Sequence, residues 1–334
     1  MAAAPFVPAL HSLAGLLTAC VSAGSLATSR LSRLCCVIVV GWITAGSSMG
    51  RAGEPPRPIA VCSTTQVADF ARQVVGDDWE VRCVLAPGQD PHLYEIKPHD
   101  VLRVRDASLC LANGLHLEQN DWMSVLARDA GKPLVVCAEG IEPLMLPDES
   151  TGEAGTAPDP HAWFAPTNAA VYVRNILAAV SEIDAARRDR YRARAELYLG
   201  ELRTLDAWIR RECNAIPPDR RVLVTSHDAF QYFCRQYGFR SAAPVGWSTG
   251  EEVGGGVTFE RRTAAIESVR RLGVKAVFVE TSVNEELIRE MAREAGVRVG
   301  GKLYSDSMGP AGSAGESYLG MMRENVLTIA AGLK

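Results

Sequence analysis

Short apolar runs and amphipathic stretches alternate along the chain from Pro58 onward. The apolar runs, such as residues 59–63 and 108–112, are nearly continuous, which is typical of strands in a parallel sheet covered on both faces. The stretches between them, such as residues 66–75, repeat apolar positions at helical spacing. A succession of such units predicts an α/β lobe. In the first half of the chain we predict strands at 59–63, 80–85, 108–112 and 134–137, and helices at 66–75, 98–105 and 117–129.

The longest helical pattern covers residues 167–213 and is expected to break near Ile183 and Asp184. Pro217 and Pro218 end the stretch, after which strands and helices alternate again. We predict strands at 221–225, 241–245, 276–280 and 297–303, and helices at 228–237, 259–272, 284–295 and 316–331. The predicted fold class is therefore α/β, with two similar lobes that are each a mainly parallel sheet flanked by helices. The lobes are assigned to residues 51–184 and 214–334, and one long linking helix at 185–213 joins them.

Residues 1–50 differ from the rest of the chain. Arg30 and Arg33 are their only charged residues, and an apolar run at 34–45 follows and gives way to small residues. This order is typical of an export signal, and the run is shorter than the roughly 20 residues that span a bilayer. Residues 17–20 (LTAC) also resemble a lipoprotein cleavage box, although no basic residue precedes them. A start codon further downstream is another alternative. We expect an exported protein, either periplasmic or anchored on the outer side of the cytoplasmic membrane.

Charge and cysteine content narrow the picture further. The formal net charge is −4, without any block of basic residues, so nucleic acid is not expected as a partner. Three of the nine cysteines lie in the export segment, and none of the others forms a CxxC pair. We expect these others to be buried free thiols rather than a set of disulfides. They are Cys62, Cys83, Cys110, Cys137, Cys213 and Cys234.

Two loop segments carry no recognisable chemistry. Residues 144–160 are acidic, rich in Gly and Pro, and free of periodicity and of histidine, which predicts a surface loop. The three glycines at 254–256 lie between a predicted strand and a predicted helix, but they do not fit the phosphate-binding GxGxxG pattern.

Histidines supply the candidate chemistry. His92 and His161 each end an Asp-Pro-His tripeptide, while His227 follows the strand pattern RVLVTS and Asp306 follows VRVGGKLY. Open α/β sheets bind ligands at the carboxyl ends of their strands, and three imidazoles with one carboxylate suit Zn²⁺ in tetrahedral geometry. These residues are far apart along the chain and form no local chelating motif. On pattern alone, each is more often a satisfied polar residue than a ligand.

Seven segments carry a resemblance to a known family: QDPHLYEIKP, LANGLHLE, DPHAWFAP, VLVTSHDAFQYF, VFVETSV, LYSDSMG and ESYLGMMREN. In this order and spacing, over residues 58–334, the chain resembles the substrate-binding proteins of bacterial zinc and manganese ABC importers. The resemblance implies that His92 and His161 from the first lobe, with His227 and Asp306 from the second, bind one divalent metal ion at the lobe interface. It also implies an exported monomer that captures this ion and delivers it to an importer permease, which an ATPase drives.

His227 bears on the choice of metal. Members that resemble manganese carriers often have Glu at this position, and an imidazole nitrogen in place of an oxygen favours zinc. We therefore predict Zn²⁺, with Mn²⁺ as the alternative. Glu280 resembles a family position close to the site and is expected to orient a ligating imidazole. Asp90 and Asp159 either do the same or cap turns before proline.

Three alternatives come from other classes or roles. A zinc hydrolase keeps a coordination position for water, whereas four protein ligands would close the shell, and no HExxH motif is present. We therefore do not expect an enzyme. Surface adhesion would be an added role, and a carrier of iron chelates would not need this ligand set. His99 and His116 are not expected to ligate, and the residues Trp163, Phe164, Phe230 and Tyr232 are expected to pack between the lobes.

Overall fold

The computed structural model describes residues 56–146, 157–242, 259–282 and 285–334. The predicted export segment, most of the acidic loop and the glycines at 254–256 lie outside the described residues. Among the residues that are described, no helix combines the length and the apolar character needed to cross a membrane.

The first lobe is built on one parallel four-stranded sheet. Its strands are β1 Ile59–Cys62, β2 Glu80–Cys83, β3 Leu109–Ala112 and β4 Leu134–Val136, and its helices are α1 Thr65–Val75, α2 Pro98–Arg105 and α3 Trp122–Asp129. The strand order is β2-β1-β3-β4, with each strand parallel to its neighbours. The central strands β1 and β3 are buried almost throughout, as their continuous apolar sequences predict. The loops that follow the strands therefore gather at one edge of the sheet.

Helix α1 begins and ends where the sequence supplies its caps. The Thr64 side chain accepts a hydrogen bond from the backbone N–H of Val67, and Gly76 ends the helix with a φ of 54°. Its first turns are buried on all sides, including the polar residues Thr65 and Gln66. These two residues therefore face other parts of the protein rather than solvent.

Helix α3 begins later than predicted. The pattern predicts a helix from residue 117, but the helix starts at Trp122. Residues before it have φ values of 52° to 63°, which a right-handed helix excludes, at Leu115, His116, Asn120 and Asp121. The buried carboxylate of Glu118 accepts hydrogen bonds from the backbone N–H groups of Asn113 and Gly114 and stabilises this irregular loop instead.

The acidic loop has a regular base. Strands β5 Met145–Leu146 and β6 Ala157–Pro158 pair antiparallel, and the backbone N–H of Asp159 donates to the carbonyl of Leu144 at 2.7 Å. The surface loop predicted over 144–160 therefore has a short β-ladder at its two ends, which the sequence pattern did not indicate. The base of this loop leads directly into the second Asp-Pro-His tripeptide.

Two long helices follow, α4 Pro166–Ile183 and α5 Arg188–Asn214. The break predicted near Ile183 and Asp184 is confirmed, because α4 ends at Ile183 and a short 3-10 turn separates it from α5. The Asp184 carboxylate accepts hydrogen bonds of 2.6 Å from both Tyr191 and Arg187, which fixes the corner. Helix α5 packs along α1 and α4 and against the C-terminal helix at Tyr318–Leu333, and it contains residues 188–213 of the segment predicted as the linking helix, while 185–187 form the 3-10 turn.

The second lobe contains two pairs of parallel strands. Its strands are β7 Val222–Val224, β8 Arg240–Ala242, β9 Ala276–Glu280 and β10 Arg298–Leu303, and its helices are α6 Gln231–Tyr237, α7 Phe259–Leu272, α8 Glu285–Ala295 and α9 Tyr318–Leu333. Strand β7 pairs with β8 and β9 pairs with β10, while β7 lies beside β9. Of the strand predicted at 241–245, only residues 241 and 242 can be compared, because residues 243–258 lie outside the described part of the chain. Helix α9 begins at Tyr318, two residues after its predicted start, because the side chain of Ser317 caps it.

One hydrophobic core runs through both lobes and the linking helices. Aromatic rings cross between the lobes, with 4.8 Å between the ring centroids of Phe70 and Tyr318 and 4.2 Å between those of Phe164 and Phe230. The predicted packing role of four aromatic residues is confirmed, because all of them belong to this core: Trp163, Phe164, Phe230 and Tyr232. The prediction of free thiols is confirmed as well: the six described cysteines form no disulfide, and all but the half-buried Cys83 are buried.

Candidate metal centre

The two Asp-Pro-His tripeptides fold into the same local structure. In each, the aspartate side chain accepts a hydrogen bond from the backbone N–H of the histidine, at 2.8 Å for Asp90 and His92 and at 2.9 Å for Asp159 and His161. This is the turn that an Asp two residues ahead of an N–H donor forms. Both aspartates therefore set the backbone from which an imidazole projects.

The second lobe presents its two candidate ligands at the carboxyl ends of strands. His227 follows β7, and its backbone N–H donates to Glu280 Oε1 at 3.0 Å, at the end of β9. Asp306 follows β10, three residues beyond Leu303. The preceding Tyr304 is held by Asn325, which accepts from its N–H and donates to its carbonyl. Position at this edge of the sheet agrees with the expectation for ligand binding in α/β folds.

The structure brings the four predicted ligands together. One donor atom each from His92, His161, His227 and Asp306 lies within 4.8 Å of every other. The Nε2 atoms of His92 and His161 are 3.3 Å apart. Asp306 Oδ1 lies 3.2 Å from His161 Nε2, and Asp306 Oδ2 lies 3.2 Å from His227 Nε2. All of these side chains are buried except His92, whose side chain is 13% exposed.

Carboxylates face the Nδ1 atoms of two of the imidazoles, on the side of the ring away from the centre. His161 Nδ1 lies 2.8 Å from Asp159 Oδ1, and His227 Nδ1 lies 2.5 Å from Glu280 Oε2. A carboxylate at Nδ1 keeps a proton there, so Nε2 is the nitrogen that faces the centre and can bind a metal ion once it is deprotonated. Glu280 thus lies where its predicted role requires, and Asp159 shares that position while also forming its turn. Asp90 forms only the turn with His92 in the contacts described.

In the metal-free protein the four side chains titrate in different directions. Burial lowers the pKa of His92 to about 3, outweighing the opposing carboxylate of Asp306. Burial also acts against protonation of His161, but two neighbouring carboxylates outweigh it and raise the pKa of His161 to about 9. Burial also acts against protonation of His227, but the carboxylates of Asp306 and Glu280 outweigh it and raise the pKa of His227 well above its usual value. Burial opposes ionisation of Asp306, yet His227 and His161 hold its pKa well below the usual range. The centre is thus a cluster of alternating charges around one neutral imidazole.

The donor set fits a transition-metal ion. His227 Nε2 and Asp306 Oδ1 are buried, and although each lies 3.2 Å from an atom of another ligand side chain, neither makes a well-oriented hydrogen bond to any residue the structure describes. Such atoms are costly to leave unsatisfied. Three imidazole nitrogens and a carboxylate oxygen are the ligands of a four-coordinate zinc site, whereas Ca²⁺ and Mg²⁺ take more oxygens.

The other two histidines among the described residues lie elsewhere. The His99 side chain is 54% exposed and lies 3.3 Å from Asp100 Oδ1. His116 is part of the positive-φ loop before α3, with a φ of 63°. Neither belongs to the cluster of four, as the sequence predicts.

Three supporting side chains were not identified from the sequence. Trp122 Nε1 donates to the carbonyl of Pro91, and Asn113 Nδ2 donates to that of Pro160, each at 3.1 Å, so both tripeptides are anchored just before their histidines. Ser282 Oγ donates to Asp306 Oδ2 at 3.4 Å. Asn113 lies in the segment LANGLHLE that carries part of the family resemblance, but nothing local in the sequence indicates any of these bonds.

Comparisons with known proteins agree with this architecture. The family model described as "ZnuA: Zinc-uptake complex component A periplasmic" matches residues 60–332. The chain is 36% identical over 295 residues to the manganese-binding lipoprotein MntA of Bacillus subtilis, covering 86% of this chain and 93% of MntA. It is 34% identical over 311 residues to the zinc-binding protein TroA of Treponema pallidum, covering 90% of this chain and 98% of TroA.

The fold comparison leads to the same group. The solved structure of the periplasmic zinc-binding protein TroA from Treponema pallidum superposes with a TM-score of 0.73 at 29% identity, covering 83% of this chain and 99% of that chain. The predicted α/β fold of two lobes with a long connecting helix is confirmed by this match.

Proposed function

Because the chain belongs to the family of periplasmic zinc-uptake complex component A proteins, we propose that it captures one zinc ion and delivers it to an ABC importer. The observation that carries this proposal is the convergence of His92, His161, His227 and Asp306, two residues from each lobe. A single ion bound to all four would join the lobes. The loaded form would thereby differ from the empty form, which gives a permease a basis for recognising it.

Zinc is the favoured ion in this proposal. The relatives do not decide the metal, since one is named for zinc and another for manganese. The ligand set supports zinc, because the His227 imidazole stands beside two others and only Asp306 contributes oxygen. Manganese is the alternative within the same family.

Storage and transport fit the centre better than catalysis does. Four protein ligands fill a tetrahedral shell, whereas a catalytic zinc retains a position for water. The Nδ1 atoms of His161 and His227 are already engaged by carboxylates, so neither ring is free to act as a base there. We therefore propose a carrier rather than a hydrolase.

Location and partners follow from the same proposal. Relatives such as MntA are named lipoproteins, and we propose that this chain also works outside the cytoplasm as a monomer. The permease and ATPase of an ABC importer would be its partners, and the membrane would be reached only through them or through an N-terminal anchor.

The experiment that tests the proposal is a metal analysis followed by competition. The purified chain is expected to hold about one zinc ion per molecule, the number that one cluster of four ligands binds. Titration with zinc and manganese against the same chelator in one buffer should give the tighter binding for zinc. Tighter binding of manganese would assign the chain to the alternative, and the absence of binding by either ion would overturn the proposal.

We expect zinc binding to release protons and to tighten as the pH rises. The pKa of His161 is raised to about 9 and that of His227 well above its usual value, so both rings are protonated in the metal-free centre at pH 7, whereas His92, with a pKa of about 3, is neutral. Coordination needs the Nε2 lone pairs, so about two protons should leave at pH 7, and zinc affinity should fall as the pH decreases from 9 to 6. Calorimetric titration in two buffers of different protonation enthalpy counts these protons. A count near zero would contradict the charge distribution described for the centre.

A further inference from the structure

The backbone on both sides of Asp306 is bonded to the opposite lobe. Gln66 Nε2 donates to the carbonyl of Ser305 at 3.0 Å, and the backbone N–H of Met308 donates to Thr65 Oγ1 at 2.9 Å. Thr65 and Gln66 form the first turn of α1 in the first lobe, whereas residues 305–308 follow β10 in the second. The backbone that carries the carboxylate of the second lobe is thus bonded to the first lobe.

The two α1 side chains also bond to each other. Thr65 Oγ1 donates to Gln66 Oε1 at 3.0 Å, so the amide oxygen and nitrogen of Gln66 are both engaged. Gln66 is 1% exposed. A buried amide without these partners would be costly, which makes the pair a discrete arrangement that is either formed or broken. We call it the Thr65–Gln66 clamp.

Further bonds limit the freedom of the same segment. The backbone N–H of Gly88 donates to Ser307 Oγ at 2.7 Å, from a first-lobe loop. On the side of its own lobe, the backbone of Tyr304 is fixed by Asn325. The position of Asp306 relative to His92 and His161 therefore depends on contacts between the lobes and not on β10 alone.

We propose that Thr65 and Gln66 are positioning residues that set the distance of Asp306 from the first-lobe histidines and so fix the four-ligand geometry. This inference rests on the proposed function, since it concerns how the same centre binds its ion. Metal–ligand distances are defined to about 0.2 Å, so a small displacement of the Asp306 segment takes its oxygen out of reach. Breaking the clamp removes no ligand. The position of the Asp306 segment would then be set by the second lobe without the bonds from Thr65 and Gln66.

The test compares isosteric variants that lack the hydrogen bonds with variants that keep them. Gln66→Met and Thr65→Val break the clamp, and Thr65→Ser retains the hydroxyl. Tyr191→Phe removes a buried hydroxyl that bonds to Trp79 and Asp184, away from the centre. We measure zinc affinity by chelator competition, the visible absorption of the cobalt-loaded protein, and urea unfolding without metal.

We expect Gln66→Met and Thr65→Val to weaken zinc binding by about 10- to 100-fold, the usual effect of removing a partner that supports a ligand. Their cobalt absorption should change in shape and intensity, because the carboxylate is no longer held as the fourth ligand. Thr65→Ser and Tyr191→Phe should keep the wild-type affinity and spectrum. The urea curves show whether each variant is folded. If Thr65→Val does not fold, the zinc affinity and cobalt spectrum of Gln66→Met, compared with those of Thr65→Ser, still test the clamp.

The outcomes separate this inference from the proposed function. A wild-type chain that binds no zinc overturns the function. Wild-type affinity and spectrum in Gln66→Met would show that the clamp does not position Asp306, and the proposed function would be unaffected. Weaker binding with an unchanged cobalt spectrum, or an equal loss in Tyr191→Phe, also overturns the clamp, since a general loss of stability would then explain it.

Discussion

Replacing His227 by alanine is expected to weaken zinc binding by more than about a hundredfold, beyond the 10- to 100-fold cost of losing a supporting partner. The substitution removes one of three imidazoles from a buried set of four ligands. It also leaves Asp306 Oδ2 without the ring that lies 3.2 Å away, and Glu280 without the Nδ1 group it faces. The remaining ligands would have to recruit water into a site shaped for protein donors. Chelator competition and metal content of the purified variant measure the loss.

His99→Ala is the matched control for this substitution. It also removes one histidine from the described chain, but from an exposed position outside the cluster. We expect it to retain the wild-type zinc content and affinity. Full zinc occupancy and wild-type affinity in His227→Ala would show that the assignment of the site is wrong.

The second large effect is expected from Glu280→Gln, which should weaken zinc binding by about 10- to 100-fold. The Glu280 carboxylate is completely buried, and it accepts from the backbone N–H of His227 and from Ser226 Oγ through Oε1. A glutamine keeps that acceptor but places an amide N–H₂ group where Oε2 faces His227 Nδ1. The ring would then accept at Nδ1 and carry its proton on Nε2, where the metal must bind.

Two measurements check this explanation. Zinc affinity gives the size of the effect, and nitrogen chemical shifts of the His227 ring in the metal-free protein report its protonation, with both nitrogens protonated in the wild type and only Nε2 protonated in Glu280→Gln. Glu196→Gln, an exposed change of the same type on α5, should alter neither. If Glu280→Gln binds zinc like the wild type, Glu280 does not orient His227.

The same pair of residues has a consequence for metal choice. The family resemblance implies that manganese carriers often have Glu where this chain has His227. A carboxylate in place of the His227 imidazole would lose the ring that Glu280 faces and would add a second negative charge near it, and two like charges repel each other. The partnership between His227 and Glu280 is therefore consistent with the preference for zinc that we propose.

Much of the fold follows from local patterns. Helix α2 has the predicted bounds, and the break at Ile183 falls where the periodicity is interrupted. Periodicity succeeds here because the face that an element buries is written in the order of its own residues. The start of α3 was not predictable in this way, because the buried carboxylate of Glu118 stabilises left-handed backbone conformations that the apolar pattern does not reveal.

By itself the sequence determined the α/β class, the order of the elements and a short set of candidate ligands, since strand ends and repeated tripeptides are local features. Local patterns did not determine that the ligands meet, which was expected only from the family resemblance, because residues separated by entire elements converge only when two sheets and a linking helix pack together. Tertiary structure alone placed Glu280 behind His227 and Thr65 and Gln66 beside the Asp306 segment. Those contacts depend on how the lobes are seated against each other, and that arrangement is fixed by packing across the whole core rather than by any one stretch of chain.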